Sequence, residues 1–311
     1  MGALPARAWA DGMTYTLTDL GAYPSPGEVR DGRFNGTLGY QSPRIDNAGR
    51  VTFGNALPAD YGSLSGTVPY QGPAPLDPTS PGGASQPTNA WITANAGQLS
   101  VGNYNTNGSG AIPFIFDGAK ATRLIGISGN PSIGSNAIAV NDVGQVLLTS
   151  GFSSSSLFDA RDNSVRRITS LTPGLPYNAL AINHSGVIVG QYLLGDQNRI
   201  IADHAFILQD VASRSVDLNT LLPPMTGWVL NTATGINDAG QIVGLGTDPS
   251  GAVHYYQLNP VPEPTTLAFA GLALAGFALK EFRLARAERS EGVRFFRRRT
   301  ESVVVDIAAG G

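Results

Sequence analysis

The chain has 311 residues, 42% hydrophobic and only 14% charged, with 39 Gly, 21 Pro, no Cys and a net charge of −3. That apolar fraction supports a folded core, while the low charge and abundant Gly and Pro disfavour a helical bundle, a coiled coil and a basic nucleic-acid binder. Without Cys there is no disulfide framework, no thiolate nucleophile and no zinc–thiolate site.

The charge is uneven along the chain. Before Lys280 there are 12 Lys/Arg and 18 Asp/Glu, a body of −6, and between Lys280 and Arg299 eight basic residues face three acidic ones. Residues 1–10 end in Ala8-Trp9-Ala10, which fits the small-x-small pattern of signal-peptide cleavage at Ala8 and Ala10. No apolar stretch precedes it, so residues 1–10 are expected to be the remnant of a signal peptide whose start codon was assigned late.

From Tyr15 onward the chain reads as strands. Five segments share the pattern apolar, Asn/Asp turn, Gly, then alternating apolar residues. They are Ile45-Asp46-Asn47-Ala48-Gly49, Ile92 to Gly97, Val140-Asn141-Asp142-Val143-Gly144, Ile182-Asn183-His184-Ser185-Gly186 and Ile236-Asn237-Asp238-Ala239-Gly240. Asn and Asp tolerate left-handed backbone and Gly supplies positive φ, so each copy predicts a β-hairpin. Gly49, Gly97, Gly144, Gly186 and Gly240 are 48, 47, 42 and 54 residues apart, a period that points to a propeller or an array. Two further strand-like runs follow the hairpin in the fuller copies, such as His204–Leu208 and Ser215–Leu218, giving four strands per unit. Tyr15–Leu20 resembles the last strand of a unit and His254–Leu258 the third. The unit is therefore divided between the two ends of the repeat region, as in a ring closed within one blade. The expected fold is all-β, a five-bladed β-propeller over residues 11–260. Residues 56–88 interrupt it as a Pro-, Gly- and Ser-rich loop, with a short strand near Ser65–Val68. Asn103–Gly110 and Ser153–Ser156 read as shorter polar loops.

After the repeats comes Val261-Pro262-Glu263-Pro264, then an uncharged stretch, 265–279, of roughly 22 Å as a helix. This is short for a hydrocarbon core of ~30 Å. The basic residues after it resemble a stop-transfer signal and would sit in the cytoplasm, with the body outside. Pro-Glu-Pro, a short apolar helix and an Arg-rich end together resemble the PEP-CTERM sorting signal of bacterial envelope proteins, over residues 261–289. The resemblance implies export, a single transmembrane helix at 265–279, and an exosortase-type membrane protease as partner. Residues 290–311 extend past the usual end of such signals and read as a basic cytoplasmic tail or an artefact. The words His204-Ala205-Phe206 and Gly235 to Gly244 resemble the HAF-type repeats of bacterial extracellular proteins, a family with no common catalytic activity.

Candidate chemistry is sparse. Asp46, Asp142 and Asp238 are read as equivalent turn positions of three repeats, and Asp117, Asp159 and Asp210 follow third strands. All read as turn residues before they read as glycosidase acids, which need a carboxylate pair across a scissile bond. His204 and His254 are equivalent repeat positions, implying packing or a hydrogen bond to backbone. His184 sits in a hairpin turn. Asn141-Asp142 and Asn237-Asp238 offer hard oxygens for calcium, but the spacing matches no EF-hand or calcium-binding nonapeptide. No cofactor is expected. Tyr255, Tyr256, Trp228 and Trp91 are candidates for a carbohydrate platform, although strand aromatics ordinarily serve the core. The resulting expectation is a non-enzymatic binding or scaffolding protein of the cell surface or extracellular matrix, with polysaccharide as a partner and nucleic acid excluded. A secreted glycan-active enzyme and an adhesin using the Ala56–Thr88 loop are the alternatives.

Overall fold

The computed structural model describes residues 13–23, 29–30, 33–34, 42–53, 68–69, 89–105, 111–124, 135–150, 154–195 and 200–261. In chain order these form β1 (Thr14–Ala22), a ribbon of β2 (Val29–Arg30) and β3 (Arg33–Phe34), and a hairpin of β4 (Arg44–Ile45) and β5 (Val51–Thr52). Blade A follows with β6 (Val68–Pro69), β7 (Asn89–Ala96), β8 (Leu99–Asn105), β9 (Ile112–Phe116) and β10 (Ala121–Arg123). Blade B comprises β11 (Ser135–Val140), β12 (Gln145–Ser150), β13 (Ser154–Asp159) and β14 (Ser164–Arg167). Blade C comprises β15 (Tyr177–Ile182), β16 (Ile188–Gly195), β17 (Ile200–Leu208) and β18 (Val216–Asp217), and a 3-10 turn at Leu218–Leu221 follows it. Blade D takes β19 (Val229–Ile236), β20 (Ile242–Thr247) and β21 (Val253–Val261), and β1 completes it. That pairing is antiparallel and runs from Thr14 opposite Val261 to Ala22 opposite His254, with one irregularity between Asp19 and Gly21.

Among the described residues the arrangement is propeller-like, with four blades where the sequence predicts five. The fifth hairpin, at Gly49, does form, but among the described residues it is a ribbon of two-residue strands. The nearby β6 joins blade A instead, pairing Val68 and Pro69 with Ile92 and Trp91. Pro69 cannot donate to a ladder, which confines β6 to the edge of that sheet.

The core lies between blades. Alternation along a strand sends successive side chains to opposite faces, and β12 shows the result: Val146 and Leu148 pack with Ala94, Val101 and Leu124 of blade A, while Leu147 packs with Ile182, Ile188 and Phe206 of blade C. Likewise Val187 and Val189 turn to blade D, meeting Leu230, Ile236, Tyr256 and Leu258. Tyr15 of β1 is fully buried in that last layer, so the closing strand is anchored by a side chain as well as by its ladder.

First strands follow one another at the centre, β7 beside β11, β11 beside β15, β15 beside β19, and β19 beside β4. Three of the four long ones carry one ladder irregularity and β19 carries two. In blade D, Gly244 stands opposite Ala233 between the two, where a Cβ would collide with the Thr232 carbonyl and the Tyr256 ring. The last glycine of the Gly235 to Gly244 word is therefore a steric requirement.

Parts of two stretches read as polar loops belong to strands: Asn103, Tyr104 and Asn105 end β8, with Asn103 buried, and Ser154–Ser156 open β13, while 106–110 and 153 lie outside the described residues. Among the described residues no helix is long and apolar enough to cross a membrane. The predicted helix 265–279, the tail 290–311, Ala8 and Ala10, and most of the 56–88 loop lie outside the described residues.

Candidate functional site

The turns between first and second strands converge. Asn47, Ala96 and Gly97, Val140 to Asp142, Ile182 to His184, and Asp238 line one cavity of about 230 Å³, so all five repeat turns contribute to it.

In the turns at Gly49, Gly144, Gly186 and Gly240 two residues divide the work. The first is buried and structural. The Oδ1 atoms of Asn141, Asn183 and Asn237 accept from the backbone N–H four residues on, at 2.8, 2.9 and 2.9 Å, which closes each hairpin. Their Nδ2 groups donate onward to the next repeat, from Asn141 to Asn183 O at 3.0 Å, from Asn183 to Asn237 O at 3.2 Å and from Asn237 to Asp46 O at 2.9 Å. Asp46 occupies this same first position, three residues before its glycine, so the expectation that it is equivalent to Asp142 and Asp238 is corrected. Its carboxylate accepts from Arg50 N at 2.7 Å and Arg50 Nε at 2.6 Å, and it has no amide to pass on. Burial opposes its ionisation, but these bonds outweigh burial and hold its pKa below the usual carboxylate value.

The second residue faces the cavity. Asp142 Oδ1 lies 2.6 Å from His184 Nδ1. Asp238 Oδ1 accepts from His184 N at 2.9 Å, and its Oδ2 accepts from Asn47 Nδ2 at 2.7 Å. Asn47 Oδ1 accepts in turn from Asp238 N. The mouth thus carries two carboxylates and an imidazole, each side chain contributed by a different repeat, with Asp142 on the His184 ring and Asp238 on the His184 backbone N–H. Such a surface can accept and donate hydrogen bonds to a polyhydroxyl ligand. Glycine completes the turns: at Gly186, φ is +83° and a Cβ would lie 3.0 Å from Gln145 Oε1 of the preceding repeat. Gly49, Gly97, Gly144 and Gly240 also take positive φ. Among the described residues, no group of three His, Cys, Asp or Glu side chains is placed to hold a metal ion.

The remaining candidates disperse. Asp117 Oδ1 accepts from Ala119 and Lys120 N–H, and Asp210 Oδ1 from Ala212 N–H, each within its own outer turn. The Arg161 guanidinium holds the Asp159 carboxyl at about 2. His204 and His254 bond carboxylates of the neighbouring fourth strand, not backbone: His204 Nδ1 lies 2.8 Å from Asp217 Oδ2, and His254 Nδ1 lies 2.9 Å from Asp19 Oδ1. The words Val216-Asp217-Leu218 and Thr18-Asp19-Leu20 carried that signal, because each lies beside a His-bearing strand. The four aromatic candidates do not gather. Tyr256 is core and donates to Thr232 O at 2.9 Å, Tyr255 packs on Phe53 and Tyr23, Trp228 sets its edge to His254, and Trp91 lies in blade A. The sequence also gave no hint of Thr93 and Asn103, which both bond Ala137 O across the gap between blades A and B.

The comparisons bear on the end of β21. Residues 260–283 match the model of the PEP-CTERM protein-sorting motif. The chain matches no curated protein and no solved structure. The matched segment opens on the last two residues of β21, Pro260 and Val261, which stand opposite Tyr15 and Thr14. The remaining motif residues, Pro262, Glu263 and Pro264, lie outside the described residues. The motif indicates export toward the cell envelope through exosortase-type, membrane-associated sorting machinery.

Proposed function

We propose that this exported protein acts at the cell surface or in the extracellular matrix as a non-enzymatic binding or scaffolding protein, and that its ligand is polysaccharide. The sorting motif, whose first two residues end a repeat-built β-body, is the observation that supports this reading. The repeats are of the HAF type, and the apolar stretch 265–279 is the membrane-spanning part of the sorting signal. The cavity where the five turns meet is the binding place, through Asp142, His184, Asp238 and Asn47. Sugar hydroxyls both donate and accept, which suits a mouth of carboxylate, imidazole and amide. Affinity electrophoresis of the purified protein in gels containing the host's extracellular polysaccharide tests this. Retardation is expected, reduced at least five-fold by the double change Asp142→Ala with Asp238→Ala. Equal mobility with and without polysaccharide would refute the ligand, and retardation unchanged by the double change would refute the place.

A secreted glycan-active enzyme is the second reading, because Asp142 and Asp238 both engage His184. Release of reducing ends from the same polysaccharide, abolished by either Asp→Asn change, is the outcome that would favour it.

A further inference from the structure

Blades A and B enclose a cavity of about 410 Å³ that shares no lining residue with the central one. Its apolar wall is Leu99 of β8, Ile115 of β9, Leu124 just past β10 and Phe158 of β13. Most of its polar groups come from one hairpin, β9–β10, which supplies Asp117, Lys120, Thr122 and Arg123. We propose that this cavity binds a small amphipathic anion. An apolar chain lies along the four hydrocarbon side chains, and its terminal carboxylate meets the Lys120 ammonium.

Size and lining are those of a small-molecule pocket, which typically holds roughly 300–1,000 Å³ and is apolar apart from a few polar groups that orient the ligand. The apolar wall is part of the packed core. Leu124 and Phe158 are buried in the layer that blades A and B share, and Leu99 and Ile115 pack against that layer. Charge then selects the ligand. The body before Lys280 has a net charge of −6, yet among the described residues this cavity is lined by two cations, Lys120 and Arg123, and one carboxylate. That carboxylate is engaged by its own turn, where Asp117 Oδ1 accepts from Ala119 N–H at 3.0 Å and from Lys120 N–H at 2.7 Å. Lys120 is exposed, a point charge on a flexible stem that can follow a headgroup at the mouth. An anion is therefore complementary here, whereas Asp142 and Asp238 oppose one at the central cavity. A sugar is not complementary, because hydroxyls laid against Leu99, Ile115, Leu124 and Phe158 would lose their hydrogen bonds to water without replacement. The ligand is thus of a different class from the polysaccharide proposed for the central cavity.

Isothermal titration of the full chain with octanoate tests this, with octanol as the uncharged molecule of equal chain length. Octanoate is expected to bind at one site per chain, and octanol at least five-fold more weakly. Lys120→Glu is expected to weaken octanoate at least five-fold and to leave octanol within about two-fold. Thr122→Trp, which fills the cavity from the outer strand, is expected to abolish both. Arg166→Glu changes an exposed charge of β14 that does not line the cavity, and is expected to change neither. Absence of saturable octanoate binding would overturn the proposal, as would octanol binding as tightly as octanoate. Octanoate binding unchanged by Lys120→Glu or by Thr122→Trp would place the ligand elsewhere and overturn it. A loss in Arg166→Glu equal to that in Lys120→Glu would show general charge attraction and would overturn it equally.

Discussion

At the residue scale, the turn asparagines hold the repeats together. Asn237 is fully buried, and its amide satisfies Asp46 O while its carbonyl oxygen satisfies Gln241 N. Asn237→Ala strands both partners, and its expected cost is about 2–3 kcal/mol in urea unfolding. Asp238→Ala, at the exposed mouth, is expected to cost under about 1 kcal/mol. A similar contrast separates two glycines. Gly244→Ala meets the Thr232 carbonyl and is expected to cost more than about 2 kcal/mol, while Gly251→Ala, at φ +87° in open space, costs about 1–2 kcal/mol. The carboxylates set the acid limit. Asp159 is held at about 2, and Asp19, Asp46 and Asp217 are also lowered. For Asp217, burial works against ionisation, and the bonds from His204 and Asn219 outweigh it. A depressed folded-state pKa adds stability above the unfolded value near 3.8, and that stability is lost as pH falls through the folded value. Thermal melts are therefore expected to hold level from pH 6 to about 4.5 and fall steeply toward pH 2. A midpoint unchanged at pH 2 would contradict the role assigned to these pairs.

At the element scale, the closing strand is the feature with the largest consequence. Deleting residues 14–22 removes Tyr15 from the last core layer and opens β21, so the shortened chain is expected to aggregate on size-exclusion chromatography where the full body does not. The sequence made this strand legible, because Tyr15–Leu20 repeats the Asp-Leu word of Ser215–Leu218 and so matches a fourth strand. Hairpins were equally legible, because Asn, Asp and Gly stand where the chain must turn. Asn103 and Ser155 were not. A polar residue enters a buried strand only when a partner waits across the blade gap, and these partners are Ala137, bonded by both Asn103 groups, and Ala179 N, which donates to Ser155 Oγ. Nothing local in the sequence shows those partners.

On the scale of the whole molecule, counting turns overstated the blades. Five turns exist and all five reach the central cavity, so the repeat number was readable from Gly49 to Gly240. Among the described residues four blades form, and a blade also needs strands after the turn. The Gly49 unit has Val51-Thr52 and then a Pro-, Gly- and Ser-rich stretch in place of alternating apolar residues. The candidate site was half legible. The turn residues were identified, but which of them face the cavity depends on a one-position offset: Asp46 stands three residues before Gly49 and Asp142 two before Gly144, and the hydrogen bonds show what that offset decides. Export was legible from Val261-Pro262-Glu263-Pro264 and the basic end, since that signal is read by chain order and needs no fold.

The most direct test of the account is the intact mass of the mature protein from its native host, taken after cell fractionation. The account predicts a chain lacking residues 1–10 and ending near Pro262-Glu263-Pro264, found outside the cytoplasm. An uncut chain in the cytoplasm would contradict it.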